Sequence, residues 1–179
     1  MLLPPGKFFQ MCWYVQDIHA AMRTCHAVSR TGPFYYVEHP VIDEYTWRGV
    51  RGTLDMTGAL AQAGPIQIEL VQQHNDVGSA YRDQFGPGEE GFHHIAAMVD
   101  DYDAELAHYR SQGCEIAHSG VVAGKRFCYI DTRPKLGFMV EIIEENPAMR
   151  DMFGLISNAA IGWDGTDPFR PISITSPIA

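Results

Sequence analysis

The chain has 179 residues, enough for one ordinary domain or for two small units sharing a core. Apolar residues make up 46% and charged residues 20%, a globular balance that excludes a wholly disordered chain. The net charge of −9 argues against a dedicated nucleic-acid binder, and no apolar run reaches the roughly 18 residues of a membrane helix.

The first residues lack the layout of a secretory signal. Cys12, Cys25, Cys114 and Cys128 form no CxxC pair, and they read as reduced thiols of a cytoplasmic protein. Residues 9–20 (FQMCWYVQDIHA) read as an apolar strand running into a helix start, with Asp17 placed to accept the free amides of the first turn. The pattern predicts a helix over 18–29, strands near 34–38 and 51–58, and a strand over 65–73 (PIQIELVQQ).

The same order then returns. Residues 93–104 (HHIAAMVDDYDA) repeat strand and helix start, with Asp101 as cap, a helix over 102–112 and Gly113 closing it. Strands follow near 114–119 and 126–131, then at 137–145 (GFMVEIIEE). At an offset of 84, Gln10 meets His94, Val15 meets Val99 and Asp17 meets Asp101; at an offset of 72, Glu69 meets Glu141. The 12-residue difference between the offsets implies a longer loop region in the first half. The expected units are 1–83, 84–146 and a tail 147–179, all within one compact domain.

In the tail, Asn146 and Pro147 open a helix whose Met149, Met152, Phe153 and Ile156 form one apolar stripe. That stripe is open to three uses: docking on this chain, covering a pocket, or burial against a second copy. The remainder is rich in turn residues and reads as an extended run along a surface.

Strand alternation groups Gln10 with Cys12, Glu69 with Gln67, His94 with Ala96, and Glu141 with Met139. A carboxylate on an apolar strand face is costly unless it is paired or bound to a metal. Gln10, Glu69, His94 and Glu141 together offer three oxygens and one imidazole, a set that suits one divalent ion such as Zn, Mn, Co, Ni or Fe. His93 points away from its neighbour and reads as a packing or hydrogen-bonding residue. Cys12 reads as a small pocket or core residue. The remaining histidines show no ligand spacing and default to surface or loop. Several of the aromatic residues Trp13, Tyr14, Phe34, Tyr35, Tyr36, Phe127 and Tyr129 are candidates to line an apolar pocket.

Four segments carry a resemblance: Gln10 to Asp17, Ile68-Glu69-Leu70, Gly91 to Ala96 (GFHHIA), and Gly137 to Ile142 (GFMVEI). Over about residues 7–146 the chain resembles the vicinal oxygen chelate superfamily of glyoxalase I, bleomycin-resistance proteins and extradiol dioxygenases. It looks nearest to the methylmalonyl-CoA epimerase-like and glyoxalase I branches. The resemblance implies an α+β fold in which two βαβββ modules form a curved, partly open mixed-sheet barrel. It also implies one metal held by Gln10, Glu69, His94 and Glu141. The implied chemistry is an isomerase or epimerase acting on a hydrophobic or acyl carbonyl compound. Glu141 would be the first base and Glu69 its partner for reprotonation. Two alternatives stay open: a glyoxalase-like lyase on a thiol hemithioacetal, and a metal-free small-molecule binding protein. A homodimer is the default assembly.

Overall fold

A computed structural model describes residues 8–172. The first half folds as β1 (Phe8–Tyr14), α1 (Ile18–Ser29), β2 (Phe34–Glu38), the hairpin β3 (Asp43–Trp47) and β4 (Val50–Arg51), β5 (Met56–Ala63) and β6 (Ile66–Gln73). The second half gives β7 (Gly91–Val99), α2 (Tyr102–Ser111), β8 (Glu115–Val122), β9 (Lys125–Asp131), the short α3 (Arg133–Leu136) and β10 (Met139–Glu144). Helix α4 (Pro147–Ala159) and strand β11 (Phe169–Pro171) complete the described chain.

All strands join one mixed sheet in the order β11-β2-β5-β6-β1-β7-β10-β9-β8-β3-β4, with β11 and β4 as free edges. This is the expected α+β, partly open barrel of two βαβββ modules. The two halves meet at β1 and β7, which run antiparallel, and each flanks the last strand of its own half in parallel: β6 beside β1, β10 beside β7.

Local chemistry explains the helix starts. The Asp17 carboxylate accepts the Ala20 N–H at 2.8 Å, and that of Asp101 accepts the Ala104 N–H at 2.9 Å. Asn146 accepts the Met149 N–H at 3.0 Å, with Pro147 in the first turn, where no N–H is needed. Gly113 lies past the end of α2 at φ +71, a conformation a side chain would resist.

Two expectations need correction. The strand expected over 51–58 is two pieces: Arg51 ends β4, and Met56 starts a strand that runs on to Ala63. The longer loop region of the first half is no loop. It forms the hairpin β3–β4, and β3 pairs antiparallel with β8 of the second half.

Alternation divides the core. On one sheet face α1 packs Ile18 and Met22 against Phe34 and Leu70, and α2 packs Tyr102 and Leu106 against Val140 and Ile142. On the inner face Cys12, Tyr14, Val71, Tyr129 and Met139 form a separate cluster. Helix α4 covers this inner face: Met149, Met152 and Phe153 line its cavity, and Phe153 meets Phe9 at 4.8 Å between ring centroids. The stripe read from the tail is therefore a pocket wall. Strand β11 adds to the β2 edge in parallel, as an extended run; residues 173–179 lie outside the described residues.

Candidate functional site

Four adjacent central strands each project one chemistry-bearing side chain onto the inner face. Cys12 of β1 is paired with both Glu69 of β6 and His94 of β7, while Ala96 is paired with both Gln10 and Glu141 of β10. Strands β6 and β10 are three strand spacings apart, about 14 Å in a flat sheet. Nevertheless His94 Nε2 lies 3.3 Å from Glu69 Oε2 and 3.2 Å from Glu141 Oε2. The long glutamate side chains cover part of that gap, and the curl of the sheet covers the rest.

The structure therefore brings Glu69, His94 and Glu141 together. Gln10 lines the same cavity; its Nε2 donates to Gln67 Oε1 at 2.9 Å, which leaves the amide oxygen as the ligand-type atom. Cys12 joins the cluster too, its sulfur within 4.8 Å of ligand atoms of Glu69 and His94. Burial, then the charge of Glu69, pushes the Cys12 thiol up, so the thiol stays protonated and poorly nucleophilic.

The state of His94 follows from its neighbours. His93 Nε2 sits 3.1 Å from the Ala80 carbonyl, which can only accept, so His93 carries a hydrogen there. Burial, then the charge of His94, lowers the His93 pKa well below the ordinary value and keeps the ring neutral. Its Nδ1 is thus a lone pair, and His94 Nδ1–H donates to it at 2.9 Å. A relay of this kind fixes the tautomer of a histidine whose other nitrogen ligates.

Burial opposes a charge on His94, but Glu141 and Glu69 outweigh it and raise the pKa to about 9. Glu141 is buried, and desolvation raises its pKa against the pull of His94. The Tyr129 hydroxyl lies 3.0 Å from that of Tyr81.

The donor set fits a divalent cation. His94 Nε2 and Glu69 Oε2 are buried without a well-formed hydrogen bond among the described residues. Ligand atoms bound at about 2.0–2.2 Å lie about 3.0–3.5 Å from one another, and the separations of His94 Nε2 from Glu69 Oε2 and Glu141 Oε2, 3.3 and 3.2 Å, fall in that range. One imidazole, two carboxylates and an amide oxygen match Zn²⁺, Mn²⁺, Co²⁺, Ni²⁺ or Fe²⁺ in type.

Around this cluster the cavity has a volume of about 120 Å³ and mostly apolar walls. Tyr35, Phe127 and Tyr129 of the expected aromatic set line it, whereas Trp13, Phe34 and Tyr36 pack beneath α1. Lys125 is the one Lys or Arg on its lining among the described residues.

Two features escaped the sequence reading. His118, expected at the surface or in a loop, is completely buried and lines the cavity. His39, Asp55 and His74 also converge, on the surface, from three separate segments, with His39 Nδ1 2.5 Å from Asp55 Oδ1. Neither has a local spacing to betray it.

A mixed sheet of paired βαβββ modules that closes two glutamates on a buried histidine defines a vicinal oxygen chelate protein. The family model described as the glyoxalase/bleomycin resistance protein/dioxygenase superfamily matches residues 9–129, and the chain belongs to that superfamily. A search of curated proteins finds no match. Among solved structures, methylmalonyl-CoA epimerase from Mycobacterium tuberculosis is similar at 17% identity and a TM-score of 0.55, over 84% of this chain and 97% of that one. A hypothetical protein from Bacillus halodurans is similar at 16% identity and a TM-score of 0.56, over 80% and 96%. A Streptomyces coelicolor methylmalonyl-CoA epimerase bound to 2-nitronate-propionyl-CoA follows at 16% identity and a TM-score of 0.50, over 79% and 95%. At these identities the likeness is one of fold. No described helix is long and apolar enough to cross a membrane, and all four cysteines are free.

Proposed function

We propose that this protein is a metal-dependent isomerase or epimerase acting on a hydrophobic or acyl carbonyl compound, with Glu141 and Glu69 moving the proton. The observation that carries the reading is the buried His94 Nε2 with a carboxylate oxygen on either glutamate within 3.3 Å, beside a cavity of mostly apolar walls. Gln10, Glu69, His94 and Glu141 would hold the cation. When bound, it stabilises negative charge that develops on a carbonyl oxygen, an effect worth several kcal/mol.

The side chains do the rest. Glu141, buried and raised in pKa, is the better proton acceptor for a weak carbon acid. Glu69, from a strand on the other side of His94, would return a proton. The apolar wall of α4 and Phe127 gives an acyl or ring-bearing substrate somewhere to lie. The expected homodimer belongs to this reading, and sedimentation velocity checks it.

Deuterium incorporation from D₂O tests the chemistry. Enolisable carbonyl compounds, including the methylmalonyl-CoA named for two structural neighbours, are incubated with the protein and Mn²⁺, Co²⁺ or Zn²⁺. The expected result is exchange next to the carbonyl in wild type, reduced roughly 10²- to 10⁴-fold in Glu141→Gln. Absence of exchange on every compound, or an unchanged rate in the variant, contradicts the reading.

A second reading, a metal-free binding protein, has one observation in its favour. With its pKa raised to about 9, His94 is itself a cation at neutral pH and balances charge within the cluster. Binding of a carbonyl compound with no exchange and no metal uptake would select it.

A further inference from the structure

The proposed chemistry leaves a third buried imidazole, His118, idle. In a regular strand, residues two apart share a face. His118 should then sit beside Ile116, which packs against the α2 cluster. Instead Ile116 pairs with Ile130 and His118 with Tyr129, two steps against one. The ladder is bulged at Ala117, whose carbonyl accepts the Arg48 N–H at 2.9 Å. Bulges re-aim side chains, and this one turns His118 onto the inner face, where it lines the cavity.

The hydrogen position on this ring is fixed. The Ala80 N–H donates to His118 Nδ1 at 3.1 Å, so Nδ1 is a lone pair and the neutral ring carries its hydrogen on Nε2. Burial, then the charge of His94, holds the His118 pKa at about 3, so the ring stays neutral at ordinary pH. Its Nε2, on the edge away from Ala80, has no hydrogen-bond partner among the described residues. A buried donor without a partner is costly and uncommon, and it calls for an acceptor.

The support is built rather than incidental. The same Ala80 peptide that fixes His118 takes the His93 Nε2–H on its carbonyl. Its loop is fastened from several sides: Tyr45 donates to the Gly78 carbonyl at 2.7 Å, Ser79 to Gln73 at 2.6 Å, and Trp47 to Asp83 at 3.0 Å. The Tyr129 ring lies against both imidazoles, at 4.2 Å from His118 and 4.6 Å from His94 between centroids.

We propose that His118 is a substrate-positioning residue whose Nε2–H donates a hydrogen bond to an oxygen of the substrate, beside the Tyr129 ring and apart from the Glu69–His94–Glu141 cluster. This inference rests on the reading that the substrate is a carbonyl compound, and it adds a requirement: the apolar part must carry an acceptor oxygen of its own. A neutral imidazole with its second nitrogen occupied holds that oxygen and does not transfer a proton to it.

Two substitutions separate the donor from its support. His118→Asn keeps an oxygen where Nδ1 accepts the Ala80 N–H and removes the Nε2 donor. His118→Gln keeps a donor near Nε2. The probe is benzoylacetone, an apolar ring with two carbonyl oxygens, titrated into the metal-free protein. ¹⁵N-histidine spectra should show His118 protonated on Nε2 alone between about pH 5 and 8, with that signal shifting as the probe binds. His118→Asn should fold as wild type does but bind benzoylacetone roughly tenfold more weakly, while His118→Gln stays within about threefold. A hydrogen on Nδ1, a signal unmoved by millimolar probe, or wild-type affinity in His118→Asn overturns the proposal. Failure of the isomerase reading shows elsewhere, as absent exchange in wild type with metal.

Discussion

His93, His94 and His118 are all fully buried, yet their surroundings push them in opposite directions. His118 is held at about 3 and His93 well below the ordinary value of 6.5, in both cases first by burial. The unfolded chain therefore binds protons near pH 6.5 that the folded chain refuses. Stability from these two groups is complete above about pH 6.5 and is lost as pH falls below it; for His118 the loss runs toward pH 3 at about 1.4 kcal/mol per pH unit. His94, raised to about 9 by its glutamates, contributes in the metal-free protein below about pH 6.5, and that contribution is lost as pH rises through 9. Urea unfolding of metal-free protein should thus show greatest stability near pH 6–7, and bound metal should flatten the alkaline loss. An acid limb with no slope contradicts the assignment of neutral buried imidazoles. At this scale the convergence of Glu69 and Glu141 on His94 was legible, because all three sit on strand faces at matching positions of the repeat. His118 was not, because alternation assigns it the face of Ile116 and only the bulge reverses that.

Among the elements, α1, α2 and α4 were legible, since Asp17, Asp101 and Asn146 each announce an N-terminus by a local hydrogen bond, whereas the one-turn α3 has no side-chain cap and was not expected. The hairpin β3–β4 was hidden. Its turn residues Arg48 and Gly49 take φ +48 and +80, and a two-residue turn with both angles positive is ordinarily signalled by Asn-Gly or Asp-Gly. Here tertiary contacts hold Arg48 in place: its guanidinium reaches Asp83 at 2.7 Å and Asp131 at 2.6 Å. The hairpin then serves as the seat of the loop that orients His93 and His118. Trp47 packs so closely on Gly78 that a Cβ there would lie 2.2 Å from the indole ring. Gly78→Ala is expected to destabilise the fold by about 1–3 kcal/mol, through displacement of a large ring. The same variant should disturb the histidine spectra of His93 and His118. An unchanged melting temperature would show that the loop is not seated this way.

At the level of the molecule, duplication is the source of the site. Two modules meet through β1 and β7, so the matching strands β6 and β10 flank them, and curvature folds Glu69 and Glu141 onto His94. Helix α4 lies outside the repeat and supplies the apolar wall; its stripe was visible in the sequence, but which surface it met was a matter of the whole fold. This convergence is proposed to hold one cation. Metal-free protein is loaded with Co²⁺ or Mn²⁺, passed over a gel-filtration column and its metal counted by elemental analysis. About one ion per chain is expected in wild type, and less than about a tenth of that in His94→Ala and in Glu141→Ala, with circular dichroism unchanged. Folded wild-type protein that retains no ion, or variants that retain a full equivalent, would contradict it.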